Sequence, residues 1–126
     1  MSRNAFFVVV SIIGVLFGAV MLAAPGAFAA SSGMADTGEV ELLFRALGGM
    51  ILSVTLANLL VRRQPWSQAL AAVLWMNLAV HVLATLVDLD GVRRAVLTLS
   101  HVLPGTAGHL LIAAVCLYFL ARRERA

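Results

Sequence analysis

Six polar side chains interrupt otherwise apolar stretches of this chain: Arg45, Asn58, Asn77, His81, His101 and His109. These residue types can hold an anion, relay a proton or ligate a metal. Inside apolar surroundings such groups are costly unless they are paired or used. Asn77, His81 and Asp88 are spaced by 4 and 7 residues and so fall on one stripe of a helix. At a rise of about 1.5 Å per residue, His81 lies roughly 10 Å below the outer end of its helix, His101 roughly 9 Å and Arg45 roughly 7 Å. The expectation is an outer polar layer of Arg45, His81 and His101 capped by Asp88, with Asn77, Ser53 and His109 deeper. There Arg45 would hold a carbonyl or anionic head group, or pair with Glu41 one turn earlier. His81 would bond across helices to Asn77 or His101, and Asp88 would set the charge of the imidazoles. The ligand-binding set is therefore Arg45, Asn77, His81, Asp88 and His101. Asn58 reads as a packing or head-group contact.

Four apolar spans must position these residues, at about 5–24, 40–61, 66–88 and 95–121. Each has the length of a membrane-crossing helix. The composition agrees: 62% of the 126 residues are hydrophobic, 12% are charged, and the mean hydropathy is +1.00. That is too little charge to cover a water-soluble surface. The net charge of +3 is carried by Arg alone and concentrates at Arg3, Arg62, Arg63, Arg122, Arg123 and Arg125, just outside the spans. This is the flanking pattern of a membrane protein, and it leaves no continuous basic face for nucleic acid.

The expected architecture is all-α, a single integral membrane domain over 1–126 forming an up-down-up-down four-helix bundle. The Gly-, Ala- and Ser-rich segment 26–39 reads as the longest loop, following a helix stop at Pro25-Gly26. Arg62-Arg63-Gln64-Pro65 and Asp88-Leu89-Asp90-Gly91 read as the two later stops, and Pro104-Gly105 as a kink in the last helix. The Arg-rich side collects Arg3, the Arg62/Arg63 turn and the chain's last Arg residues, so both termini are expected in the cytoplasm of a bacterial inner membrane. Met1–Asn4 and Ala27-Phe28-Ala29 also resemble a signal-peptide start and cleavage site. The first apolar run, at about 20 residues, exceeds the usual 7–15 of such a peptide, so the helix is read as retained.

Small residues mark where helices approach. Ser11, Gly14 and Gly18 share one face of the first span, and Gly49, Ser53 and Ala57 repeat every four residues in the second. Packing within the chain is favoured over a second copy. The single Cys116 reads as a buried apolar residue.

Other chemistries have less support. Two histidines at one level suit a bis-imidazole haem, yet adjacent helix axes about 8–10 Å apart leave little room for a macrocycle. Carboxylates lie only near span ends, which does not fit a di-iron bundle site. No Ser–His–acid set shares one depth, and no glycine pattern makes a phosphate loop. An enzyme is the less favoured reading.

The chain resembles the small DoxX-like bacterial membrane proteins. The resemblance rests on Gly18-Ala-Val-Met-Leu-Ala-Ala-Pro25, on Phe44-Arg45-Ala-Leu-Gly48-Gly49, and on the number and spacing of helices over nearly the whole chain. It implies a four-helix membrane fold with Arg45 as a pocket residue. It also implies, for some members, service as a membrane subunit of a quinone-linked redox system. The partners expected are the lipid bilayer, a quinone-like or other amphipathic small molecule, and a membrane protein or second copy. The alternatives are a structural or assembly subunit without ligand and a haem-binding electron carrier; the cofactor stays unassigned.

Overall fold

The computed structural model describes residues 1–122. Arg123 and Arg125, counted above toward orientation, lie outside them. The described residues form helices α1 (Arg3–Ala23), α2 (Pro25–Ser31), α3 (Gly38–Val61), α4 (Gln68–Arg93) and α5 (Leu99–Arg122), without a strand. All but α2 are long and apolar enough to cross a membrane. They group into two compact units, residues 1–63 and the described residues from 64 onward.

In the first unit, α1 and α3 are antiparallel. Gly14 of α1 faces Thr55 and Ile51, whereas Gly18, one turn on, faces Leu52 and Gly48. The approach is close enough that a Cβ on Gly48 would stand 2.8 Å from the Gly18 carbonyl oxygen. Ser11 and Gly18 are buried as expected, but the matching face of α3 differs from the one expected. It runs through Gly48, Thr55 and Asn58, not through Gly49, Ser53 and Ala57. A Cβ on Gly49 would meet nothing within 4 Å, and Ser53 is exposed, donating to the Gly49 carbonyl at 2.9 Å. Adjacent helical residues point about 100° apart, so Gly48 and Gly49 cannot serve one face. Ser2 and Thr37 cap α1 and α3 by accepting from Ala5 N and Val40 N, and Glu39 and Glu41 lie at the positive end of α3.

The expected loop 26–39 also holds a helix. The first helix does stop before Pro25-Gly26, at Ala23, and Pro25 itself occupies the start of α2, where its missing N–H is harmless and its φ is already helical. Phe28 then packs edge-on against Phe17 and Phe44, and Ala29 is fully buried with Met21 and Phe44. Apolar burial outweighs the loop-like composition of the segment.

In the second unit, α4 and α5 are antiparallel, as the contacts below establish. Ser67 caps α4, accepting from Leu70 N at 3.2 Å. The expected stop at 88–91 is helical instead, and α4 continues to Arg93. Asp90 there pairs with Arg93 at 2.7 Å and with Arg94 at 2.6 Å. Ala95 then adopts a left-handed conformation, φ 57°. Its N–H donates to the Val92 carbonyl, and Val96 N–H donates to that of Gly91, closing a Schellman turn. Gly91 has a separate task, since a Cβ there would meet Leu97 Cδ1 at 2.7 Å. Consequently α5 begins at Leu99 rather than near Ala95. It continues through Pro104, which lies in its second turn.

Candidate functional site

The polar residues of the second unit form a seam between α4 and α5. At the end nearest the α4–α5 connection Thr106 Oγ1 donates to Asp88 Oδ2 at 2.7 Å. His109 lies one turn beyond Thr106 on α5. Two turns inward along α4, His81 Nδ1 lies 2.8 Å from His109 Nδ1, with the ring planes inclined at 38°. Between these levels, Thr85 is buried and returns its hydroxyl to the His81 carbonyl at 2.9 Å. Below them, Asn77 is 1% exposed and donates to the Val73 carbonyl at 2.8 Å. On α5 the stripe of His109 continues inward through buried Ala113 and Cys116.

The sequence fits this seam. His81, Thr85 and Asp88 lie on one face of α4, while Thr106, His109, Ala113 and Cys116 lie on one face of α5. Running antiparallel, the helices put Asp88 opposite Thr106 and His81 opposite His109. Each imidazole is half-buried. Apart from the Nδ1 contact, the two rings make no hydrogen bond among the described residues, and neither Nε2 is among the buried atoms lacking a partner.

Of the five expected ligand-binding residues, the structure brings His81 and Asp88 onto this seam, with Asn77 one turn beyond His81 on the same side of α4. His101 stands elsewhere. With α5 starting at Leu99, it is exposed in the first turn, about 3 Å along the helix, and its Nδ1 lies 2.7 Å from Thr98 Oγ1. It therefore takes neither His81 nor a carbonyl freed by Pro104 as partner. His109, expected in a deeper layer, takes the place opposite His81. The later start of α5 and the longer α4 shift the register between them, and that shift exchanges the two histidines. Arg45, in the first unit, donates from its Nη2 to Glu41 Oε2 at 3.0 Å, with half of its side chain exposed. This is the one-turn pair weighed in the sequence. Asn58 is fully buried on the packed face of α3.

Thr106 and Thr85 carried no signal in the sequence, since a lone threonine in an apolar helix usually bonds its own backbone. The spacing Thr106–His109 against Asp88–His81 becomes informative only once the antiparallel register is known.

The seam can exchange hydrogen bonds and hold a polar group. Among the described residues, no set of three or more His, Cys, Asp or Glu is grouped to hold a metal ion. Two imidazole nitrogens sharing one tetrahedral ion at bonds of about 2.0–2.1 Å would also stand about 3.3 Å apart, farther than this pair. The facing nitrogens are at hydrogen-bond distance. Compared with known proteins, the chain matches no protein-family model, no curated protein and no solved structure.

Proposed function

We propose that the chain is a multi-pass protein of a bacterial inner membrane, of the DoxX-like kind, crossing up-down-up-down with both termini in the cytoplasm. Its polar seam on α4–α5 would take the head group of a quinone-like or other amphipathic small molecule, as an accessory subunit of a redox system. The observation that carries this reading is the His81–His109 pair. It is half-buried, and the Asp88 carboxylate is held on Thr106, one turn from His109. A mostly apolar surface with a few convergent polar groups is what an amphipathic ligand needs. The long apolar faces of α1, α4 and α5, exposing Ile12, Leu16, Phe17, Leu83, Leu86 and Leu111, suit a lipid environment. Arg3 and the Arg62/Arg63 turn support the orientation.

The test uses the purified protein in lipid nanodiscs with decylubiquinone and decylubiquinol as probes. Binding by the folded state raises the unfolding temperature, by about 2.7 kcal/mol of stabilisation at one hundred times the Kd. A rise that His81→Asn and His109→Asn both abolish supports the reading. No rise with either probe removes it.

A second reading has its own support. His81–His109 and Asp88–Thr106 both join α4 to α5, so the seam would lock a helix pair in a structural or assembly subunit. In that case the same substitutions lower stability with no probe effect to lose.

A further inference from the structure

Two distances in the histidine pair bear on protons. The facing Nδ1 atoms are 2.8 Å apart, whereas the ring centroids are 5.0 Å apart. The difference is close to two ring radii, so both Nδ1 atoms lie near the line joining the rings. The two Nε2 atoms therefore point away from each other, toward opposite ends of the pair.

A hydrogen bond between two neutral imidazoles contains one proton. One ring must be the Nδ1–H tautomer with a bare Nε2, and the other the Nε2–H tautomer with a bare Nδ1. The pair thus has an acceptor at one end and a donor at the other. Charge is supplied from one direction only. On α4 the nearest charged group is Asp88, and beyond it Asp90, Arg93 and Arg94 pair with one another. On α5 no charged residue occurs between Leu99 and Ala121. Thr85 spends its hydroxyl proton on the His81 carbonyl and does not intervene.

We propose that His81 and His109 form a proton relay across α4–α5, with Asp88 feeding the His109 end. The His81 end opens to the head group of the bound small molecule, and that clause alone rests on the function proposed above. In one passage a proton is taken up on the bare Nε2 of one ring. The Nδ1–H proton crosses to the partner's Nδ1, and the partner's Nε2–H proton leaves. Only N–H and O–H bonds form and break, no electrons are exchanged, and the pair ends neutral with its tautomers exchanged. A passage in the reverse direction restores the starting state.

The experiment is nitrogen NMR on the full chain, labelled with ¹⁵N-histidine, in nanodiscs without added ligand. The relay requires opposite tautomers at His81 and His109, a scalar coupling across their Nδ1 atoms, and exchange between the two tautomer arrangements. Asp88→Asn should slow that exchange at least tenfold and leave the exchange of His101 unchanged, and Asp88→Glu should restore it. Two Nε2–H rings without coupling overturn the proposal, as does an exchange rate indifferent to Asp88→Asn. Because no ligand is added, coupled exchange in a protein that ignores decylubiquinol keeps the relay and removes only the ligand reading.

Discussion

The carboxylate of Asp88 accepts a 2.7 Å hydrogen bond from the hydroxyl of Thr106, and this contact helps to fix which residues of α4 and α5 face each other. Seven residues from Asp88 along α4 and three from Thr106 along α5, the facing Nδ1 atoms of His81 and His109 are 2.8 Å apart, a second tie between the two helices. The Asp88–Thr106 bond joins two helices and is partly buried, so it helps to register the pair.

A double-mutant cycle measures that bond. Asp88→Ala, Thr106→Val and the double variant, unfolded thermally in detergent, should give a coupling of about 0.6–1.7 kcal/mol, the range for interhelical hydrogen bonds in membrane proteins. Additive effects would mean that the two side chains act independently.

The first unit makes a sharper prediction because adjacent glycines differ. Gly48→Ala drives a methyl against the Gly18 carbonyl and the Met21 Cβ, at 2.8 and 2.9 Å, where backbone cannot yield. It should destabilise by about 1–3 kcal/mol. Gly49→Ala enters open space and should be neutral or add up to about 1 kcal/mol through helix propensity. Equal effects would contradict the α1–α3 face described above.

These glycines show what was legible in the sequence. The lengths of four helices follow from apolar runs, because a run of that length has few other ways to satisfy its backbone. The face of each helix does not follow so directly. Gly14 and Gly18 repeat at four and identify their face correctly, but Gly48-Gly49 offers two candidates 100° apart, and only the partner helix selects one. The same holds for the candidate site. His81 and Asp88 are visible as one stripe of α4, yet their partners depend on where α5 begins. That start is set by the Ala95 turn and the Gly91–Leu97 contact, which composition does not reveal. The α2 helix was hidden for a related reason. Its stability comes from the packing of Phe28 and Ala29 rather than from a long periodic pattern.

The Ala95 turn carries its own test. A left-handed conformation costs a residue with a Cβ about 1–2 kcal/mol, partly offset in glycine by its freer unfolded chain. Ala95→Gly should therefore stabilise the protein by about 0.5–1 kcal/mol in thermal unfolding. A loss of stability would argue against the Schellman turn that sets the start of α5.

Topology is read by thiol labelling in a Cys116→Ala background. Ala35→Cys and Gln64→Cys, each in a connection between helices, should react with an impermeant maleimide from opposite sides of the membrane, residue 35 from the outside. Labelling of both from one side would contradict the alternating passage. In the parent protein, Cys116 is fully buried and should react only after unfolding.

The most direct test of the central claim, that the His81–His109 seam is a binding site, compares probe binding with stability in the same variants. His109→Asn and His81→Asn are titrated with decylubiquinol in nanodiscs, with the unfolding temperature of each variant recorded without probe. Loss of at least tenfold in affinity, in variants that unfold within a few degrees of the parent, is the predicted result. Unchanged affinity in both variants would contradict it.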